Sequence, residues 1–361
     1  MTTTDTRPAR AGVTGRSALL AAGYLVATAG VVWYGLAAGA RRFAATGDSY
    51  PGGSTAAAEP AGYFTATLCG ALCLGGLAYI VIVARPDSRG VIDEKAFRVH
   101  LLVERVAAAW AISAVLMCVV QTANDSGVAV TRLVRSTAMF DVVAASEMSR
   151  AWIATALCAA LVAVAVRLTL RWVGHCVLLL PTLVGVMALP VSGNAASGPD
   201  HDYATSAAIV FAVALAVLTG IKAAAVLSPP GPELYARVLV AECLSGAIAL
   251  VYGAMLLSLL LGSGGITATD YGRLALIAAV ALALTWAGDV ARALTCRRRP
   301  LTVGSGAIAA AGVLATFAAM AAVSAMATQT APRLLEHEFT TWDVFLGYAL
   351  PDPLNVLRIL T

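Results

Sequence analysis

Charge is scarce in this chain. Asp, Glu, Lys and Arg make up 12% of its 361 residues, where soluble domains carry about a quarter. With 60% of the residues hydrophobic and a mean hydropathy of +0.83, no water-soluble fold could bury so much apolar surface. The signatures of soluble-enzyme chemistry are missing too: there is no P-loop, no dinucleotide-binding glycine fingerprint after a strand, no HExxH and no GxSxG elbow. No enzymatic activity is expected. Histidine is reduced to four residues, His100, His175, His201 and His337. They fall at the ends of apolar runs or in the tail, whereas a buried haem needs two facing histidines at mid-membrane, so no haem is expected. A disulfide framework is excluded because six of the seven cysteines (Cys69, Cys73, Cys118, Cys158, Cys176 and Cys243) lie inside apolar runs, and Cys296 stands beside a basic cluster. The net charge of +4 comes from arginines at the ends of apolar runs, which gives no surface for nucleic acid.

What is present is a succession of long apolar runs. A spanning helix needs ~20 apolar residues, and the runs at 17–40, 61–84, 99–121, 149–168, 172–191, 203–226, 237–262, 272–295 and 302–327 qualify. Each must be helical, because lipid offers no hydrogen-bond partner to an open backbone. The sequence therefore predicts an all-α, polytopic transmembrane bundle of about nine spans, with the lipid bilayer as its first partner. The first run is longer than the ~7–15 residues of a signal-peptide core, so it reads as a retained helix. Placing the N-terminus inside puts nearly twice as many Lys and Arg residues on the inner side as on the outer. Residues 1–16 then form a cytoplasmic segment, 17–327 the bundle, and 328–361 an extracytoplasmic tail. Most non-membrane sequence falls outside, in Arg41 to Pro60 and Thr122 to Met148, and Val128 to Val134 with Phe140 to Val143 reads as a short interfacial helix. There is no internal repeat and no soluble domain.

Once this topology is imposed, the soft side chains cluster. Met117 and Cys118, Met187, Met255, Met320 and Met326 all fall in the outer halves of ascending spans, and Cys69 and Cys73, four residues apart, share one face of the descending second span. Thioether and thiolate ligands select Cu(I), although methionine and cysteine also fill irregular cores. The candidate metal set is His201, Met187, Met117, Cys69, Cys73 and Met255, with His201 as a capture ligand in the polar turn 193–202. Glu104 with Arg105, Arg237 with Glu242, and Asp289 with Arg292 read as ion pairs at the inner interface or as a proton or ion path.

Several stretches resemble the copper-resistance protein D (CopD) membrane family, in the form that actinobacteria fuse to a CtaG-type cytochrome c oxidase assembly module. Leu189-Pro190-Val191-Ser192-Gly193-Asn194-Ala195-Ala196-Ser197, followed by Asp200-His201-Asp202-Tyr203-Ala204-Thr205, is similar to the family turn "GHAAS…DHELAT". Asp270-Tyr271-Gly272-Arg273-Leu274 resembles the "GYGRL" helix start, and Leu346 to Pro353 resembles the "LLGYPLPPPP" linker that leads into the CtaG half. The resemblance runs from about Asp141 onward; before that, only the hydropathy agrees. The chain departs from the family in carrying Asn194 where a histidine is usual, and its sixth span, Ile209 to Gly220, has neither histidine nor tryptophan. The resemblance implies a multi-pass protein of the bacterial cytoplasmic membrane that handles copper, Cu(I), with a CtaG-type module or a cytochrome oxidase subunit as partner. Fused relatives continue past this point into a second bundle. A second reading is a metal-free scaffold or assembly partner, favoured by the missing histidines. A small-molecule permease ranks last.

Overall fold

The computed structural model describes residues 8–197, 201–296 and 304–336; the tail segment 337–361, with His337 and the linker-like stretch, lies outside the described residues. Nine helices long and apolar enough to cross a membrane are found among those described. They are α1 (Pro8–Thr46), α2 (Gly53–Val83), α3 (Glu94–Asp125), α4 (Glu147–Ala165), α5 (Trp172–Met187), α6 (His201–Leu227), α7 (Pro232–Leu260), α8 (Asp270–Cys296) and α9 (Gly304–Ala327). The nine expected spans are all present. The helices overrun the apolar runs at several ends, because a helix satisfies its own backbone and needs no lipid to persist into polar surroundings.

That overrun corrects the expected connection between Arg41 and Pro60. Helix α1 continues to Thr46 and α2 begins at Gly53, so only a short turn remains, with Gly47 and Gly52 at positive φ. Arg42 and Glu59, read from sequence as loop residues, are instead helical residues in an ion pair at 2.5 Å, Arg42 half-buried and Glu59 buried. Arg42 also donates to the Thr328 carbonyl at 2.6 Å, which ties α1 and α2 to the end of α9. The Thr122 to Met148 segment does contain short helices, Val130–Leu133 and Met139–Ala145, and Phe140 is exposed on the second.

Helices α2 and α6 form the centre of the bundle. In its most apolar stretch α2 is 67% buried, while α1 is only 11% buried and lies against α2 and α9 at the periphery. The central crossing is a glycine contact: a Cβ built on Gly75 would lie 2.5 Å from the Gly220 Cα. Small residues let two backbones approach this closely where no hydrophobic drive exists between helices. Around the outside, Leu25, Trp33, Ile112, Leu157, Leu180, Val251 and Leu284 are all exposed, and a continuous apolar belt of this kind fits acyl chains and not water.

The two ends of the bundle differ. One, here the turn end, carries the segment 188–197, the starts of α2, α4, α6 and α8, and the ends of α3, α5, α7 and α9. The other, the basic end, carries the loops 84–93, 166–171 and 228–231. At the basic end two loops pair: Ile92 donates to the Leu170 carbonyl at 3.1 Å and Trp172 to the Gly90 carbonyl at 2.8 Å. This pairing sets the register of α3 against α5.

Candidate functional site

Beneath the 188–197 segment lies a cavity of about 140 Å³. The local chain explains why a space persists there. Helix α5 stops at Met187 and the chain turns through two short 3-10 turns, Pro190–Ser192 and Asn194–Ala196, so its last apolar residues cap the bundle without filling it. Trp110 of α3, almost fully buried, contributes to the wall deeper in the bundle, as does Tyr63 of α2. Tyr63 is held edge-on against Trp152 with ring centroids 5.3 Å apart. Three of the wall hydroxyls are already engaged: Thr67 donates to the Tyr63 carbonyl at 2.8 Å and meets Ser324 at 3.2 Å, and Thr155 donates to the Gly185 carbonyl at 3.2 Å. What the wall offers a guest is therefore mainly apolar surface and three methionines, Met148, Met320 and Met326, brought from α4 and α9.

The expected metal set is distributed otherwise. Met117 is buried between α2 and α3, its sulfur seated against Gly62. Cys73 is buried, its thiol facing the Val103 carbonyl at 4.0 Å, and Cys69 packs beside it in the same α2–α3–α4 cluster. Met187 is half-buried at the end of α5, Met255 is 37% exposed toward the outside of the bundle, and none of these five lines the cavity. His201 opens α6 at the turn end, its side chain 57% exposed and 3.2 Å from the Asp202 carboxylate. Cys69, Cys73, Cys118, Cys158, Cys176 and Cys243 are free thiols. Depth along a span, which sequence supplies, is thus shared by all these sulfurs; azimuth, which depends on packing, separates them.

Asn194 has a defined task. Its Nδ2 donates to the Gln329 carbonyl at 2.5 Å and its Oδ1 accepts from the Ala331 amide at 3.4 Å. The amide locks the cavity's cap to the chain leaving α9, using both ends of a group that a neutral imidazole could match only with one donor and one acceptor in different geometry.

Two constellations lie toward the basic end. Lys222 of α6 is 2% exposed, with its Nζ 2.5 Å from Asp289 Oδ1 and 3.3 Å from Glu242 Oε2. Arg292 binds Glu242 and stands 3.6 Å from Asp289. Four charges from α6, α7 and α8 thus form one buried, formally neutral network; the Asp289–Arg292 pair expected from sequence is part of it, while Glu242 is held by Arg292 and Lys222. Lys222 was legible only as a basic residue near the inner end of a span, because hydropathy averaging hides one lysine among alanines. Beside the network is a second cavity of about 350 Å³, whose wall includes Arg16, Lys222, Arg292 and Glu242. The other constellation is His100 on α3 with His175 on α5, both buried, Nδ1 to Nε2 at 3.0 Å. Sequence reading set these histidines apart at two span ends; both stand near the basic-end start of an ascending helix, the one signal that could have paired them. Among the described residues, no set of three or more His, Cys, Asp or Glu side chains gathers to hold a metal.

Comparison with known proteins bears on what this arrangement serves. The chain is 52% identical over 347 residues to proteins of Mycobacterium bovis and Mycobacterium tuberculosis, and 45% identical over 351 residues to one of Mycobacterium leprae, all three named as uncharacterized. These alignments cover 95–96% of this chain and 51% of each relative, so the chain spans about half the length of the curated relatives it matches. No solved structure matches it. Residues 56–202 match the family described as copper resistance protein D-like, N-terminal domain. The match begins well before Asp141, where the residues had shown agreement in hydropathy alone, and takes in α2 to α5, the 188–197 cap and His201. Over residues 56–202, then, the chain is similar to the copper resistance protein D-like family.

Proposed function

We propose that the protein is a multi-pass carrier of copper in the bacterial cytoplasmic membrane, taking Cu(I) from the outer side into the cavity beneath the 188–197 cap. The observation that carries this reading is that Met148, Met320 and Met326 all line one mainly apolar cavity. Thioethers bind Cu(I) and leave hard cations in water. The excess of Lys and Arg in the loops of the opposite end supports an outward-facing cap and a cytoplasmic N-terminus. His201, exposed and held by Asp202 beside the cap, is placed to collect the ion. The resemblance to the fused form supports delivery toward a CtaG-type module or a cytochrome oxidase subunit.

A second reading is favoured by Asn194, where the family usually carries a histidine and this chain has a structural clasp. In that reading the bundle is a scaffold for the same partners and carries no metal. Copper stoichiometry decides between them. Purified protein, loaded anaerobically with Cu(I), is expected to hold copper with sulfur neighbours in X-ray absorption. The Met148→Leu/Met320→Leu/Met326→Leu variant is expected to lose that copper, whereas Cys69→Ala/Cys73→Ala retains it. Wild-type protein that binds no copper above background would overturn the carrier reading and leave the scaffold.

A further inference from the structure

The His100–His175 pair is built as a ligand site is built. His175 is fully buried, and its Nδ1 lies 2.9 Å from the Arg171 carbonyl. A carbonyl only accepts, so Nδ1 carries the hydrogen, and in the neutral ring Nε2 presents a lone pair. That lone pair faces His100 Nδ1 at 3.0 Å, so His100 carries its hydrogen on Nδ1 and leaves Nε2 bare. A backbone carbonyl holding the far nitrogen of a histidine is the usual device that fixes the tautomer and ring angle of a metal ligand. His100 is fixed in turn by Phe97, stacked on it at 5.7 Å with the planes 16° apart. Register comes from the Gly90–Ile92 and Leu170–Trp172 backbone pairing at the foot of both helices. Two imidazole nitrogens are thereby aimed at each other in a site closed to solvent.

We propose that these two nitrogens form a two-coordinate copper(I) site, separate from the thioether cavity and about 15 Å from the level of Trp110, ten residues further along α3. The inference rests on the reading of the chain as a copper carrier, and adds a second station at the basic end. Linear two-coordination is a habit of d10 monovalent ions, and imidazole is a good copper ligand. Among the described residues no third His, Cys, Asp or Glu joins the pair, which favours Cu(I) over Zn²⁺, an ion that takes four ligands. The proton balance is simple. The hydrogen on His100 Nδ1 passes to Nε2 of the same ring, freeing Nδ1, and no net proton is released. With metal–nitrogen bonds of about 2.0–2.1 Å, the two nitrogens must separate by about 1 Å, a side-chain adjustment. Glu104, one turn along α3 from His100 and 3.2 Å from Arg167, is the nearby carboxylate that can offset the added charge.

The test uses the full chain in lipid nanodiscs, loaded anaerobically with Cu(I). A variant carrying Met148→Leu, Met320→Leu, Met326→Leu, His201→Asn and His337→Asn retains His100 and His175 as its only histidines, so any imidazole signal in its X-ray absorption reports this pair. About one Cu(I) per chain with two nitrogen neighbours is expected, lost on adding His100→Gln or His175→Gln. Copper without nitrogen neighbours, no copper in this variant, or nitrogen-ligated copper surviving both Gln substitutions would overturn the proposal. The thioether site reads out separately, as sulfur-ligated copper in the wild type, so either site can fail alone. Should the five-fold variant not fold, His201→Asn/His337→Asn against the same variant with His175→Gln serves: a loss of one copper and of the nitrogen neighbours supports the site, and no change overturns it.

Discussion

The turn end and the basic end of this bundle are built by the same nine helices among the described residues, and each holds a mainly apolar cavity, yet the polar groups in the two walls differ. The turn-end cavity, about 140 Å³, presents methionines, aromatic residues and the bonded hydroxyls of Thr67, Thr155 and Ser324. The basic-end cavity, about 350 Å³, has Arg16, Lys222 and Arg292 against Glu242 in its wall. The first wall offers soft sulfur; the second brings both signs of charge, with Lys222 and Arg292 balanced by Glu242 and Asp289. The comparison teaches that polarity in a membrane bundle is allotted by end. The α6–α7–α8 side of the basic end holds its helices together with charge, while the turn end is held by amide and ion-pair clasps at its rim, Asn194 on Gln329 and Arg42 on Glu59.

The sharpest way to break this contrast is to strip one member from the charge network. Lys222→Met leaves Asp289 and Glu242 buried with only Arg292 between them, and is expected to cost about 3–5 kcal/mol, the range for orphaning a buried ion. Thermal denaturation of the purified protein would show it as a large fall in Tm. Replacing the Lys222 and Asp289 pair together by Met and Leu should recover most of the loss; a double variant as unstable as the single one would mean that the network acts as an inseparable unit of four.

Next in size is the shared centre. Gly220→Leu forces a branched side chain into the α2–α6 crossing, where backbone stands in the way, and a cost of at least about 1–3 kcal/mol is expected from overpacking. It should weaken both ends alike, measured as one cooperative transition shifted downward. Splitting into two transitions would show that the ends melt independently.

At the turn end alone, Asn194→Ala removes two hydrogen bonds to the chain after α9, at about 1–3 kcal/mol. Limited proteolysis should then cut beyond Thr328 faster in the variant, with the basic end unchanged. Asn194→His is the informative companion: a variant that keeps the slow cleavage and gains copper would show that clasp and ligand are compatible at this position. Smallest of all, Arg98→Ala breaks an exposed pair with Glu94 at 2.6 Å and should move stability by less than about 1 kcal/mol.

How legible this was depends on which coordinate of a side chain matters. Span number and depth follow from hydropathy because the bilayer imposes a length on every apolar helix, and the loop arginines carry the orientation reading. Met320 and Met326 were placed at the correct depth from sequence alone, as were Met117 and Met255. Only packing turned the first two into the cavity wall, buried the third against Gly62 and left the fourth 37% exposed. The rotation of a helix about its axis leaves little trace in a sequence whose apolar residues surround the whole helix, since lipid and protein core are equally apolar.

The amino-acid sequence by itself determined an all-α membrane bundle of about nine spans with few charges to spare, nine such helices standing among the described residues, and its turn residues pointed to a copper-resistance family. The tertiary structure decided which of those residues meet. It joined Lys222 to Asp289 across 67 positions, His100 to His175 across 75 and Asn194 to Gln329 across 135. Such pairs depend on helix azimuth and loop register, and these are settled only when glycine crossings and the Gly90–Trp172 backbone bonds bring whole helices into contact.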